Sequence, residues 1–192
     1  MRLVMIGPPG AGKGTQSERL ARHFAIPHLS TGDMLREASL TQSELGKLTS
    51  QYMISGQLVP DPIILDLIGQ RLEQPDCAAG CVLDGFPRTV SQAKALDLFF
   101  QQHGEDLDAA VEIQVSEDEL VRRLTSRKRQ DDLPDVIRQR LRGYRAQTLP
   151  VTQYYQSEGS LRVIEGEGTP DEIFTRILDQ LNGAKQVGRR TG

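Results

Sequence analysis

Tryptophan is missing from this 192-residue chain, aromatic residues make up only 5% of it, and cysteine occurs twice, at Cys77 and Cys81. Two cysteines cannot build a disulfide framework, and two thiols with no histidine near them in sequence make a poor zinc site. Both read as ordinary reduced thiols packed as small apolar groups. Long hydrophobic runs are absent too. Nothing approaches the roughly 18 apolar residues of a membrane helix, and the apolar stretch of MRLVMIGPPG falls short of a signal-peptide core, so a soluble, cytoplasmic chain is the expectation. A net charge of only −3 leaves no global case for binding nucleic acid. With 38% hydrophobic and 26% charged residues, one compact domain over 1–192 is expected, long enough to bury a sizeable core. The average hides one imbalance. Between Arg122 and Arg145 nine basic residues meet three acidic ones, Asp131, Asp132 and Asp135, so this stretch is positive and the remainder negative.

Five short segments rich in apolar and β-branched residues predict strands over residues 2–6, 28–30, 81–84, 110–115 and 161–165. Helical periods separate them, over 14–24, 63–73, 90–103, 117–126, 135–156 and 171–181. This alternation, with near-continuous apolar strands, predicts an α/β fold: a parallel sheet covered by helices on both faces, with ligands bound beyond the carboxyl ends of the strands. There is no internal repeat, but two inserts interrupt the pattern. Residues 30–59 are polar and helical and fall between the second and third strands. Residues 126–136 include RKRQDDLPD, whose charge, proline and missing apolar period predict an exposed loop. Both are candidate covers for a substrate. The segment 183–192, GAKQVGRRTG, has the polar, glycine-containing character of a frayed end.

Straight after the first strand comes GPPGAGKGT, from Gly7 to Thr15. Gly7, Gly12 and Lys13 meet the first part of the G-x-x-x-x-G-K-[ST] pattern in the required order of strand, loop and helix. Glycines let backbone N–H groups turn toward phosphate oxygens, the following helix adds its positive end, and Lys13 adds a point charge for the terminal phosphates. This is a nucleoside triphosphate site. Gly14 stands where the general pattern has a hydroxyl that ligates magnesium, and Thr15 is displaced by one. Either Thr15 helps to hold an α-phosphate or the metal, or magnesium is held mainly through water and nearby carboxylates.

Three further segments carry chemistry: STGDMLR at Ser30 to Arg36, GQLVPD at Gly56 to Asp61, and DGFPRT at Asp84 to Thr89, followed by Gln92. Arg36 and Arg88 offer planar, permanently charged forks suited to an α-phosphate, and Arg88 sits just past a strand end where ligands collect. Gln92 presents a donor and an acceptor, which matches a purine edge carrying an amino group beside a ring nitrogen. Asp84 ends the third strand beside the loop, where an acid commonly reaches the magnesium shell. Asp33 reads equally as a helix cap or as a metal neighbour. Arg123 and Arg127 share a helix face at i, i+4; Arg129 follows on the insert and Arg140 on the next helix. Fixed guanidinium groups stabilise the charge that spreads over a phosphoryl group in flight. Arg122, Arg138, Arg142 and Arg145 read instead as a solvated basic face, Asp131 and Asp132 as partners of the insert's arginines, and His23, His28 and His103 as packing or surface residues.

The form GKGT resembles the nucleoside monophosphate kinases, and the full set of segments, in this order over most of the chain, resembles the adenylate kinases with a short lid. The resemblance implies a P-loop three-layer sandwich on a five-stranded parallel sheet, with a helical NMP-binding insert at 30–59 and a short lid at 126–136. It implies reversible transfer, ATP + AMP = 2 ADP, with magnesium accompanying ATP and no structural zinc, since the lid segment has no cysteine. It assigns Gly10, Ala11, Gly12, Lys13, Gly14, Thr15 and Arg127 to ATP, lets Arg123 stack on the ATP adenine, and has Gly168 present backbone to that ring. AMP falls to Thr31, Arg36, Gln57, Leu58, Val59, Gly85, Phe86, Pro87, Arg88 and Gln92, with Arg129 and Arg140 on phosphates. Catalysis is then the work of Lys13, Arg88, Arg127, Arg129 and Arg140, with Asp84 meeting the metal through water. Relatives that accept UMP and CMP tend to carry alanine in place of Thr31 and asparagine in place of Thr89, so the pattern is of the AMP type. A UMP/CMP-type kinase and a non-catalytic phosphate-loop module stand beside this reading. The second needs no clamp of Arg36, Arg88 and Gln92. ATP, AMP and ADP are the expected partners of a monomer that binds neither nucleic acid nor membrane.

Overall fold

Neighbouring parallel strands need a crossover between them, and the helices that alternate with the strands supply one each time. In the computed structural model, which describes residues 1–40, 44–55, 57–127 and 134–187, the strands are β1 (Arg2–Ile6), β2 (His28–Ser30), β3 (Cys81–Asp84), β4 (Ala109–Gln114) and β5 (Leu161–Glu165). They form one parallel sheet in the order β2-β3-β1-β4-β5. Four strands keep the bounds read from the sequence. β4 starts and ends one residue earlier than expected, because its pairing begins at Leu3↔Ala109 and ends at Gln114↔Glu165.

Both faces of the sheet are covered, which explains the near-continuous apolar strands. Val4, Ile6 and Leu83 pack with Phe86, Leu96, Phe100 and Tyr155 on one side. Leu3, Met5 and Val82 pack with Leu20, Ile173 and Ile177 on the other. Central β1 lies between β3 and β4, where the direction of winding reverses, so the loop after β1 opens at the switch point where such sheets bind ligands.

The helices are α1 (Lys13–Phe24), α2 (Thr31–Ser39), α3 (Glu44–Ser55), α4 (Asp61–Leu72), α5 (Val90–Gln102), α6 (Glu117–Arg127), α7 (Pro134–Gly143), α8 (Leu149–Ser157) and α9 (Pro170–Val187). The insert between β2 and β3 is helical as expected, built by α2 and α3. The period over 135–156 is one rod with a π turn, Tyr144–Thr148, between α7 and α8. Such turns often mark functional sites. The expected loop at 126–136 is shorter at both ends, since α6 includes Arg127 and α7 starts at Pro134; positions 128–133 lie outside the described residues. Of the expected frayed end at 183–192, positions 188–192 lie outside the described residues. α9 runs through Gly183 to Val187, because Ile173, Ile177 and Leu181 anchor it to the core and extending a helix costs little once it is nucleated.

Cys77 and Cys81 are buried free thiols, and burial pushes the Cys81 thiol up to about 12. Among the described residues no helix is long and apolar enough to cross a membrane.

Candidate active site

The phosphate loop is shaped by backbone. Gly12 caps α1 at φ 94°, in the left-handed region, with no side-chain cap, a conformation that glycine adopts without penalty. The first-turn N–H groups of α1 are thereby left for a ligand. Lys13 donates from Nζ to the carbonyls of Gly7 at 2.7 Å and Pro8 at 3.1 Å, which holds the ammonium against the loop. Gly10, Gly12, Lys13, Gly14 and Thr15 line one cavity with Asp84, Arg88 and Arg123. Ala11 is fully buried beneath the loop and contributes its carbonyl, which accepts from Arg123 Nη1 at 3.3 Å.

Asp84 sits at the end of β3 beside Met5. Burial pushes its carboxyl up, but His28, Lys13 and Arg88 outweigh that and hold it below the ordinary aspartate value. His28 is thus corrected from a packing or surface residue to a member of the site. Its Nε2 stands 3.6 Å from Asp84 Oδ2 and its ring lines the loop cavity, because β2 pairs directly with β3. Thr15, Glu18 and Asp33 line the same cavity. Among the described residues no three His, Cys, Asp or Glu side chains gather into a metal cage. One ionised carboxylate beside a phosphate cradle fits magnesium, which keeps several waters and takes one or two carboxylates plus substrate phosphates.

Asp33 is not the helix cap. That role belongs to Ser30, whose Oγ accepts from Asp33 N at 3.2 Å, while the Asp33 carboxylate pairs with Arg36.

Arg88 is held by its Nε, which donates to the Gly85 carbonyl at 2.7 Å. Burial lowers its pKa first, the neighbouring Arg140 and Arg36 lower it further, and Asp84 opposes them. An arginine stays protonated under any of these influences. Arg36, Arg88 and Arg140, three guanidinium groups lining the same cavities, therefore make an anion site. Gly85 makes the approach possible: at φ 80°, a Cβ there would stand 2.6 Å from Thr31 Oγ1 and 3.1 Å from Arg88 Nη2. Gly85, Arg88 and Arg140 line all three cavities at the head of the sheet.

Thr31, Gln57, Leu58, Val59 and Gln92 line a further cavity together with Arg36. Thr31 donates to the Asp84 carbonyl at 3.1 Å. Pro87 lines the middle cavity. Phe86 departs from the expected set: it is 1% exposed and packs into the core under α4 and α5 instead of facing these cavities. The sequence marks Asp61 only as the end of GQLVPD and gives it no role; at the start of α4 its carboxylate accepts from Gln92 Nε2 at 2.7 Å and Ser91 Oγ at 2.6 Å. Tyr144, Gln147 and Thr148, which the π turn brings to the middle cavity, carried no signal in the sequence, where the apolar period alone marks a plain helix.

Arg123 ties three elements together. Nε donates to Glu119 at 2.6 Å and Nη2 to the Gly166 carbonyl at 2.9 Å, besides the bond to Ala11. These bonds lie in the guanidinium plane, which leaves its faces as stacking surfaces. Gly168 lies in the same connection to α9, at φ 111°. Arg122 and Arg123 hold the Glu119 carboxyl down at about 2. Arg127 ends α6, and Arg129, Asp131 and Asp132 lie outside the described residues. Arg122, Arg142 and Arg145 bond to Glu119, Gln139 and Glu117 on the surface, in keeping with a solvated basic face.

A parallel α/β sheet with a phosphate loop at its switch point, and converging arginines beyond it, defines a phosphate-loop phosphotransferase. The family model described as adenylate kinase matches residues 5–160. The adenylate kinases of Brucella ovis and Brucella canis are each 46% identical to this chain over 187 residues, covering 92% of it and 96% of theirs. The adenylate kinase of Brucella abortus is similar to the same extent, at 46% identity with the same coverage. The chain belongs to the adenylate kinase family.

Proposed function

We propose that this site carries the reaction of the family, ATP + AMP = 2 ADP, by positioning and charge stabilisation without a general base. The single observation behind this reading is that Gly85, Arg88 and Arg140 form walls common to the phosphate-loop cavity and the Gln92 cavity. Two nucleotides seated in these cavities meet phosphate to phosphate at the arginines. ATP takes the loop from Gly10 to Thr15, with Lys13 at its terminal phosphates and Arg123 and Gly168 toward its adenine. AMP takes Thr31, Gln57, Leu58, Val59 and Gln92 at its base and Arg36 and Arg88 at its phosphate.

An oxygen of the AMP phosphate then forms a bond to the terminal phosphorus of ATP as the bond to the bridging oxygen breaks, and ADP leaves from each side. The attacking oxygen is already ionised, so no proton has to be removed. Lys13, Arg88 and Arg140, joined by Arg127 and Arg129 from the lid, stabilise the charge on the oxygens in flight and align the two ends. Magnesium bound with ATP would supply charge neutralisation, and Asp84, Thr15 and Asp33, which line the loop cavity, are the groups that would hold its water shell. The insert of α2 and α3 and the short lid serve as covers that exclude water, which would otherwise accept the phosphoryl group. The same proposal has the enzyme act in the cytoplasm as a monomer.

A steady-state assay with ATP and each nucleoside monophosphate, with and without magnesium, tests the reading. AMP is the fastest acceptor and turnover requires magnesium. Faster turnover of UMP or CMP, or none with any acceptor, overturns it in favour of a pyrimidine-type kinase or a binding module.

A further inference from the structure

Gln92 is 2% exposed and both ends of its amide are held by the protein. Its Nε2 donates to Asp61 Oδ1 at 2.7 Å, and its Oε1 accepts from the Arg88 backbone N–H at 2.7 Å. These partners leave no choice. An ionised carboxylate only accepts and a backbone N–H only donates, so turning the amide over would set oxygen against oxygen and N–H against N–H at a buried site. The rest of the cluster holds the carboxylate in turn. Ser91 Oγ donates to Asp61 Oδ2 at 2.6 Å, and Thr89 Oγ1 stands 3.4 Å from the same oxygen while capping α5 through the Gln92 N–H at 3.2 Å. Thr89 and Ser91 are not among the residues that line the Gln92 cavity, so their hydroxyls act through this network.

An amide has two N–H groups and two oxygen lone pairs, and one of each remains to the side chain that lines the cavity. Their order is set by the protein before a ligand enters. Adenine offers an acceptor at ring N1 beside a donor at its amino group, whereas hypoxanthine offers a donor at N1 beside an acceptor at O6. A fixed amide can satisfy the first pair in full, and an amide free to turn can satisfy either.

We infer that Asp61 is a positioning residue that locks the Gln92 amide in one orientation and thereby sets the preference for adenine over 6-oxopurines. This rests on the proposed role of AMP as acceptor. Asp61 touches no nucleotide itself, and acts only through Gln92.

The test compares AMP with IMP, which is nearly isosteric and reverses the pattern, in the wild type, Asp61→Ala and Asp61→Asn. Asp61→Ala lowers the ratio of kcat/KM for AMP over IMP by about tenfold or more, chiefly through a higher KM for AMP, with kcat and the KM for ATP little changed. Asp61→Asn, which keeps an acceptor for Nε2 but loses the charge at the start of α4, retains the ratio. Loss of helix stability alone would affect both variants and both substrates alike. An unchanged ratio in Asp61→Ala, with the wild type still preferring AMP, overturns the inference and leaves the proposed reaction intact. A wild type that phosphorylates IMP as well as AMP removes the base-reading role of Gln92 and the inference with it. Should Asp61→Ala not fold, the NMR signals of the wild-type Gln92 side chain decide. One Nε2 proton is protected from solvent exchange in the free protein and AMP shifts the other, whereas equal, fast exchange of both overturns the locking.

Discussion

The phosphate-loop side of the cleft is held together mainly through backbone, and the Gln92 side mainly through side chains. Lys13 donates to the carbonyls of Gly7 and Pro8, and Arg123 to those of Ala11 and Gly166. Across the cleft, Gln92, Ser91 and Thr89 converge on the single carboxylate of Asp61. A cradle of N–H groups, with its cations held in place by carbonyls, grips phosphate and is blind to the base attached to it. A network of side chains is selective because each partner constrains the next, and it is fragile because removing one member leaves a buried group unmet.

Lys13→Ala tests the first half of this contrast most severely. It lowers turnover roughly 10³- to 10⁵-fold, by the same factor for every acceptor, in a coupled assay; wild-type rates in that variant break the assignment of the whole site. Arg88→Ala comes next, with turnover down by about 10² to 10³. Calorimetric binding of a non-hydrolysable ATP analogue stays nearly unchanged, which separates the two sides. Gln92→Ala has a smaller and one-sided effect, raising the KM for AMP by about tenfold while the KM for ATP stays put. A matched rise in both constants would show that the two sides are not independent.

The smallest effect concerns two carboxylates on the strands that flank β1, Asp84 at the end of β3 and Glu112 within β4. Asp84 pairs with Met5 and Glu112 with Ile6 in the sheet register. Burial raises both, but His28, Lys13 and Arg88 reverse the outcome at Asp84, whereas Gln114 alone opposes burial at Glu112, which stays raised. A carboxyl raised in the folded state costs stability above its folded value and nothing below the ordinary glutamate value of about 4.3. Glu112→Gln therefore raises the Tm at pH 8, and the gain shrinks as the pH falls toward 4. At Asp84 the sign is opposite: its lowered value adds stability above the ordinary aspartate value of about 3.9, lost as the pH falls through the folded value. Thermal melts of Asp84→Asn and Glu112→Gln across pH separate the two.

The strands, the phosphate loop and most helices were legible in the residues because each is a local pattern. Apolar continuity marks a strand covered on both faces, 3.6-residue periods mark helices, and glycines at fixed spacing before Lys13 mark a loop that must turn tightly. Arg36, Arg88 and Gln92 were legible by chemical type, and they do line one cavity with Thr31. Phe86 was misplaced in that set, since its neighbours Gly85 and Pro87 reach the cavities while its ring turns into the core. The reach of α9 past Gly183 depended on apolar contacts upstream rather than on the polar composition of the end itself.

What local patterns settle here is therefore the element order and the phosphate cradle, both built from residues close together in the chain. Tertiary structure alone decides that His28 stands against Asp84, that the π turn brings Tyr144 to the cleft, and that Asp61 pins Gln92. Those partners lie far apart along the chain, and only the strand order β2-β3-β1 and the packing of α4 beside α5 bring them within reach.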